Sequence, residues 1–495
     1  MIKKIGKFLV AALALAILLV VAAIFWPVRS APLPDPMADR LISNVHVVDV
    51  RTGDLGSLAD VMIRDGRIVE IGPSLQPGPD MPVLDGKGGY LVPGFWDMHV
   101  HAFQLSPQMH LPLFVANGVT GVRDMMDCPE TKDPLIACVE DKRRWTRSVS
   151  AGKMTSPRFV EVASFYFDNG EMSPAEAVAR ARTYGKRGVD RLKVYNGVSR
   201  ETYFALAKEG RALGISLVGH LPKAVKFQEA IASGQLSFEH AHLLVRACAR
   251  QEHDWRTGVM ENAPPVEVIE KMVDSFDTRK CDTLLQRLKA SNSWLVPTHV
   301  TREEDARAHE SNFVNDPRLD YLDPLSRWAY GDDLASTAAQ FKGRRGANAL
   351  DRYFEAGLRL TGAAHSAGVP ILVGTDTAIG GFRYHDEMAL LHRAGMTPAS
   401  ILKAATADAA RYAGKERDFG TVSVGKVADL VLLRANPVAD IGNTRTIEAV
   451  VLGGRLYDRR RLDQLLDFTK SQAHAPANWV KLVWGFLTSP VASEL

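Results

Sequence analysis

Net charge is nearly absent from this chain. The formal charge is +3, and residues 1–36 carry it, where Lys3, Lys4, Lys7 and Arg29 face a single acid, Asp35. Beyond residue 36 acids and bases balance. With no basic patch, and no stretch in which aromatics interleave with Lys or Arg, nucleic acid is excluded as a partner. Cysteine is scarce as well: Cys128, Cys138, Cys248 and Cys281 are the only four in 495 residues, too few to staple a scaffold. They admit three pairings. In an oxidising compartment the local one, Cys128–Cys138 with Cys248–Cys281, is expected, and reduced, buried cysteines are the alternative. No 20–50-residue repeat and no low-complexity tract is found.

Long hydrophobic runs are lacking too, with one exception. Phe8 to Trp26 is apolar without a break, and at ~1.5 Å per residue it reaches ~28 Å, about the hydrocarbon thickness of a bilayer. Lys3, Lys4 and Lys7 before it predict a cytoplasmic N-terminus and a body on the extracytoplasmic side. The run exceeds a cleavable signal core, and Val28-Arg29-Ser30 offers no small-x-small site. An uncleaved transmembrane anchor is therefore expected over a signal whose removal would give a secreted protein. Pro27, Pro32, Pro34 and Pro36 make the next ten residues an extended linker. Near the other end, Trp479 to Leu487 is apolar with one Lys and predicts a helix docked on the body, with membrane contact as the alternative reading.

What is present is the composition of a globular enzyme, 46% apolar and 24% charged. Its length suits a barrel domain of ~250 or more residues with an appended domain. Val61–Arg64 and Arg67–Ile71 flank Asp65-Gly66, a hairpin signal. Further strands at 428–433 and 447–452, with the turn Gly453-Gly454, predict that residues 37–90 and 417–465 build one small β-sandwich from both flanks. Between them strands alternate with helical stretches. Eight strands are placed, ending near His101, Asp124, Ala163, Tyr195, His220, His240, His299 and Asp376. The expected fold class is thus α/β, a (β/α)8 TIM-type barrel over 91–416 with a helical cap around 300–370. Residues 1–36 are the anchor and linker, and 466–495 a helical tail.

The chemistry sits at the strand ends. Strand side chains alternate between faces, so Asp97, His99 and His101 share one face and Trp96, Met98 and Val100 the other. By the same phase Lys193 and Tyr195 oppose Leu192 and Val194, and His220 opposes Ile215 and Leu217. His99, His101, Lys193, His220, His240 and Asp376 all fall at carboxyl ends of expected strands, where barrel active sites are built. Four His, one Asp and one Lys suit borderline divalent cations such as Zn²⁺. An ammonium beside such cations would be repelled by roughly 4 kcal/mol per unit charge at ~4 Å and an effective dielectric of ~20. Lys193 must therefore be deprotonated or lie elsewhere, and a neutral amine can add CO2 to become a carbamate able to bridge two metals.

These residues lie in recognisable motifs. Pro93-Gly94-Phe95-Trp96-Asp97-Met98-His99-Val100-His101 resembles the first-strand motif of the amidohydrolase superfamily. So do Gly118–Asp124, Gly374-Thr375-Asp376-Thr377, Ala404–Ala410 and Gly425–Val431, and the resemblance covers residues 40–465. Lys193-Val194-Tyr195 with Gly219-His220 and Glu239-His240 is similar to the imidazolonepropionase-like branch that includes Xaa-Pro dipeptidases. One departure is Gly219-His220-Leu221-Pro222, where relatives often carry a second His two residues on. The resemblance implies the barrel and split sandwich, and a binuclear site. In that site His99, His101 and Asp376 hold one metal, His220 and His240 the other, with carbamylated Lys193 between.

The expected activity is hydrolysis of an amide or peptide C–N bond, in a dipeptide or N-acyl amino acid, by a hydroxide bridging two Zn²⁺ ions. Asp376 is the expected proton acceptor and donor, Tyr195 a donor to the developing oxyanion or a substrate contact, and His299 a substrate contact. His242, His385 and Tyr166 are weaker candidates. The alternatives are a mononuclear deaminase or cyclic-amide hydrolase and a membrane-tethered binding protein without catalysis. The expected partners are a small-molecule substrate and the membrane, and homo-oligomerisation is compatible with the sequence.

Overall fold

The computed structural model describes residues 2–493; the side chains of Lys3 and Lys4, invoked above for membrane orientation, lie outside the described part. The N-terminal helix Ile2–Phe25 is exposed along its described length up to Ala22, with Ala23 and Ile24 half-buried, and Lys7–Phe25 is long and apolar enough to cross a membrane. The linker after it is pinned to the body. Pro32 O accepts from Thr155 Oγ1 at 2.6 Å, Asp35 N donates to Leu456 O at 3.0 Å, and Asp35 pairs with Arg461.

Four strands follow: β1 (Arg40–Asp49), β2 (Asp54–Arg64), β3 (Arg67–Gly72) and β4 (Val83–Pro93). The β2–β3 connection is Asp65-Gly66, both at positive φ (47° and 74°), as a two-residue hairpin turn requires. Only Gly94 separates β4 from β5 (Phe95–Val100). A Cβ there would lie 2.1 Å from Thr120 Oγ1, so glycine alone lets the chain pass from one sheet into the next at that spacing.

Behind β5 come β6 (Val119–Asp124), β7 (Arg158–Val162), β8 (Leu192–Val194), β9 (Leu217–Gly219), β10 (Ser237–Glu239) and β11 (Trp294–Val296). They pair in parallel as β5-β6-β7 and β8-β9-β10-β11. A parallel bridge from Ala163 to Arg191 links the two groups, and Ile371 bridges to Leu295 of β11. From there Val373 O accepts from Met98 N at 2.9 Å, and Asp376 N donates to His99 O at 2.8 Å. The fold is α/β and consistent with a TIM-type barrel. Alternation seats Trp96, Met98, Val160 and Val296 in one apolar cluster, each stabilising by about 1.5–3 kcal/mol relative to exposure.

The last strands are β12 (Leu430–Leu433), β13 (Ile447–Leu452) and β14 (Arg455–Asp458). They join the first four in one seven-stranded sheet ordered β14-β13-β12-β4-β1-β2-β3. Its buried face draws Ile42, Val45, Val61 and Ile63 from the N-terminal flank and Leu430, Leu432, Ala449 and Val451 from the C-terminal one. Neither flank could bury its apolar face alone.

Residues 299–367 form helices, chiefly His299–Ala306, Pro324–Gln340 and Gly343–Ala367. The last packs Leu350, Tyr353, Phe354 and Leu360 into the body, which confines the expected cap to the part before Gln340. Both disulfides are the local ones, Cys128–Cys138 and Cys248–Cys281.

Candidate metal centre

The strand phase brings the expected ligands to one place. His99 and Lys193 lie within β5 and β8; His101, His220 and His240 follow directly on β5, β9 and β10. Asp376 ends the segment bonded to β5. His101 Nε2 is 3.1 Å and His99 Nε2 3.5 Å from Asp376 Oδ1, while His240 Nε2 is 3.8 Å from Asp376 Oδ2. His220 Nε2 and His240 Nε2 are 3.1 Å apart. Ligand atoms of His99, His101 and Asp376 all fall within 4.8 Å of one another.

Partners on the far side of each ring orient the imidazoles. His99 Nδ1 lies 3.1 Å from Glu239 Oε2. Burial works to raise the Glu239 carboxyl, but Arg123 outweighs it through contacts at 3.0 and 2.9 Å, holding the pKa near about 2. An ionised carboxylate only accepts, so His99 Nδ1 is the donor, and its Nε2 faces Asp376. His220 Nδ1 faces Asn196 Oδ1 at 3.2 Å, and His240 Nδ1 faces Thr298 Oγ1 at 2.7 Å. Burial holds His240 down to about 3 and His220 well below the usual histidine range, so both are neutral.

Asp376 is ionised. Burial works to raise its carboxyl, but the neighbouring His99 and His101 hold it well below the usual carboxylate range. His99 Nε2 and Asp376 Oδ1 face each other at 3.5 Å. His99 Nε2 and His101 Nδ1 are buried without a hydrogen-bond partner among the described residues. Unpaired buried ring nitrogens are costly (about 1–3 kcal/mol each), and a divalent cation is what such a set accommodates.

Lys193 is buried, its pKa pushed down by burial. With His101, Tyr195 and Asp376 it lines one cavity of about 570 Å³. Phe103, Leu113, Phe114, Met126 and Leu322 form the apolar wall, and Asp168 adds an acid. Tyr195 stacks on His220 with ring centroids 3.9 Å apart, and burial pushes its hydroxyl pKa up, so it stays a donor.

His299 does not reach this cavity. The seventh strand stops at Val296, and His299 opens the next helix, fully buried, with Nε2 3.0 Å from Thr361 Oγ1. His385 is likewise internal, between Thr444 Oγ1 (3.0 Å) and Asn117 O (3.1 Å). His242 stacks on His240 at 5.6 Å, and Tyr166 lies in the cavity wall against Tyr195. Asp97 shares the phase of His99 but serves another end: Thr375 donates to it from Oγ1 (2.6 Å) and N (3.0 Å), which fixes the turn bearing Asp376. Burial pushes its carboxyl up to about 7. His240, Thr298 and Asp376 all sit at positive φ (73°, 45° and 48°), a region rarely occupied by residues other than Gly, Asn, Asp or His.

Sequence reasoning did not find Glu239, Arg123, Asn196 or Thr298. Glu239 carried a signal, an acid one residue before a ligand histidine in an otherwise apolar strand. The other three carried none.

Residues 290–457 match the family model described as Amidohydrolase family. The chain is 29% identical over 202 residues to the adenine deaminase of Moorella thermoacetica, a match covering 39% of this chain and 33% of that protein. The match thus spans about a third of the length of that curated relative. Among solved structures, bottromycin amidohydrolase is similar with a TM-score of 0.66 at 23% identity, covering 93% of this chain and 94% of that one. A Xaa-Pro dipeptidase with methionine bound in its active site has a TM-score of 0.60 at 17% identity, covering 85% and 100%. At these identities the likeness is one of fold.

Proposed function

We propose that this chain, which carries an amidohydrolase-family domain, is a metal-dependent hydrolase that cleaves an amide or peptide C–N bond in a dipeptide or N-acyl amino acid. The observation that carries the reading is the convergence of His99, His101 and Asp376, whose ligand atoms lie within 4.8 Å of one another, with His99 Nε2 buried and without a hydrogen-bond partner among the described residues. His99, His101 and Asp376 would hold one divalent cation, zinc, and His220 and His240 a second. Lys193, whose pKa burial pushes down, would supply the remaining ligand once CO2 has added at Nζ with release of a proton to give a carbamate.

Such cations, when bound, supply a water of lowered pKa and polarise the scissile carbonyl. The protein's own side chains do the rest. Asp376 takes the proton of the attacking water and returns it to the leaving amine, base first and acid second. Tyr195 donates its hydroxyl to the carbonyl oxygen as charge gathers there. The wall of Phe103, Leu113, Phe114 and Met126 excludes water and seats an apolar substrate side chain.

In this reading the bridges at Arg191 and Ile371, with the bonds from Val373 and Asp376 back to β5, close an eight-membered barrel. The flanking sheet is a separate sandwich domain of residues 37–90 and 417–465. The helix Ile2–Phe25 spans the membrane uncleaved and holds the catalytic body on the extracytoplasmic side.

The test is metal content per chain together with turnover of a library of dipeptides and N-acyl amino acids, before and after chelation. Two equivalents and activity restored by metal support the reading. One equivalent points to a mononuclear deaminase or cyclic-amide hydrolase, and tight metal binding without turnover to a binding protein.

A further inference from the structure

The C-terminal helix Pro476–Thr488 has two unlike sides. One, with Asn478 and Gly485 buried, faces the body. Gly485 is packed against Pro134, where a Cβ would come within 2.9 Å of its carbonyl oxygen, and Asn478 Nδ2 donates to Gln472 O at 3.0 Å. The other side is bare: Val483 is 44%, Trp484 49%, Phe486 38% and Leu487 70% exposed. Among the described residues no charged side chain interrupts that face.

This helix also packs on the N-terminal one. Lys481 Nζ donates to Ile24 O, so the lysine caps the carboxyl end of that helix and turns inward rather than to solvent. Cations at helix C-termini are favoured by the free carbonyls there. Next to this junction Phe25 (80%) and Trp26 (64%) are exposed. The bare face of the C-terminal helix therefore continues the exposed apolar surface at the point where the N-terminal helix ends.

We infer that the helix Pro476–Thr488 is a membrane-interface helix: Val483, Trp484, Phe486 and Leu487 enter the headgroup and upper acyl region of the bilayer that the N-terminal helix crosses. The inference rests on that helix being a membrane span. Trp is enriched at membrane–water interfaces because its ring is apolar and its N–H polar. An amphipathic helix lying in the interface plane buries its apolar face some 5–10 Å deep. Contiguous apolar surface of this kind marks an interaction site. Two attachment points, one spanning and one lying flat, fix the orientation of the body to the membrane, which a single helix on a Pro-rich linker does not.

The test is spin-label depth measurement on the full chain in vesicles of phosphatidylethanolamine and phosphatidylglycerol. Labels go on Leu487→Cys, Val483→Cys, Leu15→Cys in the N-terminal helix, and the exposed Val424→Cys as aqueous control (61% exposed). The native cysteines are all in disulfides and leave these sites unique. The expected result is that labels at 487 and 483 lose most of their collisions with a water-soluble nickel chelate and gain collisions with oxygen, while 424 keeps its aqueous profile. Label 15 in lipid with 487 and 483 as aqueous as 424 overturns the inference and leaves the span intact. Label 15 in water removes the span and the inference together. Shielding of 487 and 483 that persists in detergent and falls on dilution assigns the face to a second copy of the chain, and overturns the lipid assignment.

Discussion

His99 Nδ1 and Glu239 Oε2 are 3.1 Å apart, both side chains wholly inaccessible to solvent, with Arg123 clamping the carboxylate from the other side. The acid thereby sets which nitrogen of His99 is left for a cation. Glu239→Gln should weaken metal binding by about 10–100-fold, the usual effect of removing a partner that orients a ligand histidine. It also leaves Arg123 without its counter-charge, at about 3–5 kcal/mol. Metal titration and thermal unfolding read the two effects separately. Unchanged affinity would show that Glu239 serves Arg123 alone.

Asp376→Asn should lower turnover by about 10²–10⁴-fold, the range for loss of a general acid–base, while at least one metal equivalent per chain remains. Elemental analysis alongside kinetics decides it. Turnover above a few per cent of the parent's would remove Asp376 from proton transfer.

Tyr195→Phe keeps the stacking on His220 and deletes the hydroxyl. The expected loss is in kcat, about 10²–10³-fold for one donor to a developing oxyanion, with the melting temperature unmoved. A change in KM alone would make Tyr195 a substrate contact instead.

The double variant Cys248→Ser, Cys281→Ser opens a loop with a sequence separation of 33. The expected loss is about 3–4 kcal/mol on the chain-entropy account, read as a lower melting temperature. The denatured, unreduced parent should show no titratable thiol.

Glu387 is buried, accepts from Val300 N at 2.9 Å, and is pushed by burial up to about 8. Its ordinary value is about 4.3. The folded state therefore favours the protonated form, whose contribution is complete below about 4.3 and is lost as pH rises through about 8. Glu387→Gln mimics the neutral carboxyl. It should match the parent in stability near pH ~4 and exceed it above pH ~8, the gap widening between those limits by at most about 1.4 kcal/mol for each step of one in pH. Parallel stability curves for the two proteins would refute this.

The two-residue alternation was enough to bring His99 and His101 to Asp376 and Lys193 to the cavity, because period-2 phase is a local property of the chain. The α/β class and the seven-stranded sheet's hairpin were legible for the same reason. His299 was misplaced by the same logic: Pro297 and Thr298 end the strand before it, and the helix that follows turns its ring onto Thr361. Asn196, Thr298 and Arg123 were invisible because each meets its histidine, or Glu239, across a gap in sequence that only the tertiary fold closes. How the helices after His299 pack was equally hidden. The helix Gly343–Ala367 reads as charged along its sequence, yet it buries a full apolar face.

The left-handed backbone at His240, Thr298 and Asp376 has a bearing on how the site can be dissected. Alanine at 240 or 376 would remove a side chain and also strain a bend that alanine disfavours by roughly 1–2 kcal/mol. An alanine scan would thus confuse a lost ligand with a shifted rim. Asparagine, which tolerates that conformation, separates the two. His240→Asn and Asp376→Asn are the substitutions that interrogate coordination without redrawing the mouth.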